Sequence, residues 1–225
     1  MTRRPRLVVF DVDGTLVDSQ ADILTSMQAA FSEAGLPVPE RAQVLSIVGL
    51  SLPDAMARLV PGQPGPVVAR MVATYKDSYA ALRLSKGAET SPLYPGALQA
   101  LETLGADDWT LLALATGKSR RGLDALLDSL DLRRHFVTTQ VADDHPSKPH
   151  PSMLLAALAQ TGVAARDAAM VGDTTYDMDM ARAAGTGAIG VGWGYHPPGR
   201  LRADALIRDF RELPAALDRL WETAA

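Results

Sequence analysis

Short apolar runs that stop abruptly alternate along this chain with stretches of helical spacing. Residues 7–10 form the first run and end at Asp11; similar runs recur at 109–115, 168–171 and 187–191, with a weaker one at 205–207. Their length and side-chain branching predict buried parallel strands. Between them, Leu98, Leu101 and Leu104 share one helical face, Leu123, Leu126, Leu127 and Leu130 a second, and Leu154, Leu155 and Leu158 a third. Gly105, Gly162 and Gly185 follow these faces, where the residue closing a helix often takes positive φ. Strands alternating with helices predict an α/β fold, a doubly wound parallel sheet with helices on both faces.

One stretch breaks the alternation. From Ser19 to about Ser91 there is no convincing strand, only two helical faces: Ile23, Met27, Ala30, Phe31 and Ala34, then Val67 through Leu82 at helical spacing. Pro53 and the segment 61–66 punctuate them. The pattern predicts a helical insertion, residues 18–91, that leaves after the first strand and returns near Tyr94–Gly96. Residues 1–17 and 92–225 then form the core.

The 225 residues are enough for a full core without covalent staples. There are no cysteines, which removes disulfides, Cys-ligated zinc, iron–sulfur clusters and thiol catalysis. Lys+Arg 22 against Asp+Glu 26 gives a net charge of −4, which disfavours nucleic acid as a partner. No apolar run is long enough to span a membrane. Arg3, Arg4 and Arg6 precede too short an apolar run for an export signal, so a cytoplasmic protein is expected.

In doubly wound sheets, ligands bind beyond the carboxyl ends of the strands. The first strand is followed by Asp11-Val12-Asp13-Gly14-Thr15, the next by Thr116-Gly117-Lys118, and the run ending at Val171 by Gly172-Asp173 through Asp177. Lys148 could reach the same edge from a later loop. Carboxylates converging there repel, by about 4 kcal/mol for two charges ~4 Å apart at an effective dielectric of ~20. A hard dication relieves that repulsion, and an all-oxygen donor set favours Mg²⁺. A hydroxyl, a free backbone N–H and a lysine are the donors a phosphoryl group needs. A carboxylate beside the cation can attack phosphorus, and a second carboxyl can exchange protons with the leaving oxygen and with water.

These residues, in this order, resemble the haloacid dehalogenase-like (HAD) superfamily of phosphatases, with the helical stretch resembling its C1 cap. The likeness runs from about Leu7 to Leu213. It implies a Rossmann-like core, an aspartyl-phosphate intermediate and Mg²⁺ as cofactor. By that resemblance Asp11 is the nucleophile and a metal ligand, and Asp13 is the acid/base and lends its backbone carbonyl to the metal. Thr116, Lys148 and the Gly117 N–H hold the phosphoryl oxygens. Asp173 ligates the metal, and Asp177 orients either a metal-bound water or Lys148. Haloacid dehalogenases lack the second aspartate of the first motif, so Asp13 favours phosphate esters. The segments Gly172–Gly185 and Gly190–Tyr195 look like those of phosphoglycolate phosphatases, which implies hydrolysis of 2-phosphoglycolate to glycolate. Leu50-Ser51-Leu52 and Tyr94-Pro95-Gly96 also fit that group, but similar segments occur in pyrophosphatase and nucleotidase relatives, and a sugar-phosphate phosphatase or a phosphomutase of the same fold is a further alternative. The expected partner is a small phosphorylated metabolite, and monomer and homodimer both remain open. A phospho-accepting signalling domain would need no helical insertion and would carry its aspartate on a middle strand.

Other features read more plainly. Thr116-Gly117-Lys118-Ser119 is no P-loop, because Leu112 stands where a glycine is required. Residues 185–190 satisfy a dinucleotide-binding pattern but follow a helix and enter a strand, the wrong context. Lys118 is expected to be solvated or at a substrate rim, and Asp18, Asp54 and Arg58 to be solvated, with the cleft between insertion and core as their alternative. Asp179 is expected to face solvent and Met178 and Met180 the core. Thr15 could cap its turn or touch phosphate. The four histidines share no ligand spacing, and His150 fits a helix start with Pro151.

Overall fold

The computed structural model describes residues 4–86 and 91–223. Strand β1 (Arg6–Phe10) leads into four helices, α1 (Gln20–Glu33), α2 (Arg41–Leu45), α3 (Leu52–Leu59) and α4 (Gly65–Lys86). The chain then alternates: α5 (Ala97–Gly105), β2 (Thr110–Thr116), α6 (Arg120–Ser129), β3 (Thr138–Val141), α7 (Ser152–Thr161) and β4 (Ala168–Gly172). It closes with α8 (Thr175–Ala184), β5 (Gly187–Val191), β6 (Ala205–Ile207) and α9 (Leu213–Thr223). The six strands form one sheet in the order β3-β2-β1-β4-β5-β6, and every neighbouring pair is parallel.

Side chains alternate across a strand, so β1 feeds two cores. Val8 and Phe10 pack with α5, α6 and α9, while Leu7 and Val9 pack with α7 and α8. Burial on both faces explains why the central strands read as unbroken apolar runs. Helices α1–α4 build a third core of their own around Met27, Phe31, Met56 and Met71. The two chain crossings into this helical layer lie side by side. Asp18 N donates to Pro92 O at 2.9 Å and Tyr94 N to Leu16 O at 2.9 Å. Among the described residues no helix is long and apolar enough to cross a membrane.

Several expectations need correction. Strand β3 carries no apolar run, because an edge strand of four residues needs burial only at its inner end, Gln140 and Val141. Gly105 is the last residue of α5 rather than its left-handed cap, whereas Gly162 and Gly185 take φ of 71° and 72°. Leu98 and Leu155 are exposed, at 38% and 49%, since a helix lying on a sheet buries a narrower stripe than its leucines suggest. Asp179 is exposed and Met178 and Met180 are buried, as expected. Gly185 does close a helix and Gly187 opens a strand, the context that argued against dinucleotide binding.

Candidate active site

Connections on opposite faces of the sheet diverge between β1 and β4, and the crevice at that switch point is where such folds bind ligands. Asp11 leaves β1 there, its N–H donating to Val171 O of β4 at 2.9 Å. The chain then turns tightly, Leu16 N donating to Val12 O at 2.9 Å. Gly14 makes the turn possible: its φ is +85°, and a Cβ there would lie 2.3 Å from Asp173 Oδ2. Asp173 follows β4 directly, and Asp177 sits one turn into α8, where its Oδ2 accepts from Thr174 N (3.0 Å) and Oγ1 (2.7 Å).

Lys148 reaches the crevice from the loop before α7. Its side chain is fully buried, with Nζ 3.0 Å from Asp11 Oδ1 and 2.6 Å from Asp177 Oδ1. Asp11, Asp173 and Asp177 each offer an oxygen within 4.8 Å of the others. Their oxygens differ in occupancy. Asp173 accepts from Thr15 Oγ1 (2.9 Å) and Tyr195 N (2.8 Å), and Asp177 is taken by Lys148 and Thr174. Among the described residues the Asp11 carboxylate meets only the Lys148 ammonium, at 3.0 Å from Oδ1, and Lys148 is better aligned with Asp177. A buried carboxylate met by a single shared ammonium, among two others, fits a hard dication held by oxygen donors.

Burial pushes the Asp11 carboxyl up to about 7; the Lys148 charge opposes the rise and Asp177 adds to it. Asp173 is likewise held well above the usual carboxylate range by burial, then by Asp177 and Asp11. For Lys148, burial pulls the ammonium down, but Asp11 and Asp177 outweigh it and raise the net value. Asp11 therefore binds its proton more tightly folded than unfolded. Its stabilising contribution is full below the unfolded value of 3.8 and is lost as pH rises through about 7. In a metal-free solution the wild type is expected to lose melting temperature relative to Asp11→Asn between pH 4 and 8. Thermal melts of the pair check this, and a pH-independent difference contradicts it.

Asp13 turns away from that cluster. Its carboxylate accepts from Ser19 Oγ at 2.5 Å and from Lys118 Nζ at 2.7 and 2.9 Å. Of the two places expected for Lys118, solvent and the substrate rim, the structure gives the second: it lines the cavity, with its Nζ also 3.1 Å from Tyr79 OH of α4 and 4.6 Å from the ring centroid. Thr116 ends β2 with its Oγ1 accepting from Lys118 N at 3.2 Å. At Gly117 a Cβ would lie 2.4 Å from Leu50 O, so only glycine lets the helical layer come this close.

Asp11, Asp13, Thr116, Gly117 and Lys118 line one cavity of about 880 Å³ between the sheet edge and α1–α4. Lys148, Asp173 and Asp177 stand behind Asp11 and do not line it. Thr15 bonds Asp173. Asp54 and Arg58 are exposed, as expected; Asp54 also lines the cavity, and Arg58 donates to Tyr176 OH at 3.2 Å. Ser19 and Tyr79 had no signal in the sequence. The Tyr195 hydroxyl lies 3.2 Å from Ser19 Oγ, a contact 176 residues apart that no local pattern encodes.

The haloacid dehalogenase-like hydrolase family model matches residues 8–191. A curated relative named "Probable phosphatase IndB", from Dickeya dadantii, is 35% identical over 97% of this chain and 96% of its own. A phosphoglycolate phosphatase from Chromobacterium violaceum is 33% identical over 92% of this chain and 94% of its own. A solved haloacid dehalogenase-like hydrolase from Streptococcus pneumoniae superposes with a TM-score of 0.81 at 25% identity, covering 94% of this chain and 98% of that one. On a match that spans most of the sheet and all the residues converging at its switch point, this chain belongs to the haloacid dehalogenase-like hydrolases.

Proposed function

We propose that this protein is a Mg²⁺-dependent phosphatase that hydrolyses a small phosphorylated metabolite through an aspartyl phosphate on Asp11. The observation that carries the reading is the state of Asp11: buried, met only by Lys148 among the described residues, beside two further carboxylates, and open to the cavity. The relatives' names support phosphatase chemistry, and several name phosphoglycolate, so 2-phosphoglycolate is among the esters to be tested.

Bound Mg²⁺ would supply charge neutralisation for the phosphoryl oxygens and for the acidic cluster. Asp11 and Asp173, with the Asp13 carbonyl, would hold it; Asp177 is committed to fixing Lys148. An Asp11 carboxylate oxygen attacks phosphorus and the P–O bond to the alcohol breaks. Asp13, placed by Ser19 and Lys118, gives its proton to the leaving oxygen. Water then attacks the aspartyl phosphate, its proton passes to Asp13, and inorganic phosphate leaves. Thr116 and the Gly117 N–H line the cavity where phosphoryl oxygens sit, and Lys148 compensates charge from behind Asp11. The helical layer of α1–α4 acts as a cap that excludes water and sorts leaving groups.

A panel of phosphate esters tests this: 2-phosphoglycolate, pyrophosphate, a nucleoside monophosphate and hexose phosphates, ranked by kcat/KM. With Mg²⁺ at least one is turned over, and chelation lowers the rate 100-fold or more, as loss of several kcal/mol of charge stabilisation requires. No ester hydrolysed, or full activity in chelator, rejects the proposal.

A further inference from the structure

The cavity extends well past the room a two-carbon leaving group needs. Its volume of about 880 Å³ approaches the upper end of the ~300–1,000 Å³ typical of pockets that bury drug-sized ligands. Its length has a structural origin. On α6, Gly122, Ala125 and Ser129 line one wall, spaced three and four apart on a single helix face. Small side chains there keep the space open over about 10 Å at 1.5 Å per residue. The row starts beside Lys118 and leads away from Asp11 and Asp13. Facing it on α4 are Tyr75, Tyr79 and Arg83, also spaced by four and also lining the cavity. The two tyrosine rings stack with centroids 6.0 Å apart. At the far end Arg83 Nη2 donates to Ser129 Oγ at 2.6 Å. Its Nη1 is buried without a hydrogen-bond partner among the described residues. A buried cationic donor left unpaired is unfavourable, and an acceptor carried by the ligand would complete it.

We propose that the alcohol part of the substrate is elongated, with an apolar body along the Tyr75–Tyr79 face and an anionic end received by Arg83. This rests on the phosphatase reading and makes Arg83 a specificity-determining residue. A two-carbon alcohol would leave the α6 row uncovered and Arg83 unpaired.

A pair of aryl phosphates, 3-(4-phosphonooxyphenyl)propanoate and its primary amide, tests the inference. Both release nearly the same phenol and differ only in terminal charge; phenyl phosphate is the baseline. With Mg²⁺ the full-length protein is expected to favour the acid over the amide, and over 2-phosphoglycolate, at least tenfold in kcat/KM. Arg83→Gln brings the acid-to-amide ratio within twofold, mainly through KM, and Arg83→Lys keeps part of it. A wild-type ratio near one, a ratio that survives Arg83→Gln, or 2-phosphoglycolate outperforming the acid overturns it. The wild-type ratios decide the matter even where a variant folds poorly. Phenyl phosphate hydrolysed without these preferences sinks this inference alone; no ester hydrolysed sinks the phosphatase reading with it.

Discussion

Asp11→Asn is expected to lower kcat for any phosphate ester on the order of 10⁴-fold or more, the scale seen when a nucleophile is removed from a catalytic set. The change keeps the shape and volume of the side chain, so the cavity and its neighbours stay in place. What disappears is the oxygen that bonds to phosphorus, together with one negative charge of the buried cluster. The amide cannot form the acyl phosphate, and the remaining acid, lysine and threonine have nothing to assist. Folding gives no alternative explanation, because removing one of three mutually repelling buried carboxylates relieves rather than adds strain at neutral pH. Phosphate release measured alongside a thermal melt separates the two effects. A variant that folds and retains a tenth of wild-type turnover would remove Asp11 from the chemistry.

Lys148→Met should show the second large effect, on stability as well as turnover. The lysine is fully buried and neutralises Asp11 at 3.0 Å and Asp177 at 2.6 Å. Methionine fills much of the same volume but leaves two buried carboxylates unpaired, and breaking a buried ion pair on one side costs about 3–5 kcal/mol. For a chain of this size each kcal/mol moves Tm by roughly 2–4 °C, so a fall on the order of 10 °C is expected in chelator. Added Mg²⁺ recovers part of it, since a dication compensates the same charge. A melting temperature within 2 °C of the wild type in chelator would show that Lys148 does not carry this electrostatic role.

How much of this was legible beforehand depended on the range of the interactions. Strand β1 and the runs behind β4 and β5 announced themselves because strands buried on both faces need continuous apolar side chains. Asp11 and Asp173 were legible by position, each following a strand end where the sheet opens, and Lys148 only through the order of the motifs. Strand β3 was missed because at the edge its Thr138 and Thr139 meet solvent on one side. Lys118 was left between solvent and the substrate rim because nothing near it in sequence shows that Tyr79 and Asp13 would enclose it.

The sequence by itself determined the alternation of strands and helices, the helical insertion, and which acidic, hydroxyl and ammonium groups would gather at one sheet edge. Those follow from side-chain period and from the parallel-sheet rule that aligns all carboxyl ends. Only the tertiary structure decided how the gathered groups divide: Lys148 shared between Asp177 and Asp11, Lys118 on Asp13, and Arg83 half-paired at the end of a long cavity. The Lys148–Asp177 and Lys118–Asp13 pairings join residues 29 and 105 positions apart, and the Arg83 contact spans the helical layer and the core. Short-range periodicity carries no information about them, because they are set by which elements the packed core brings face to face.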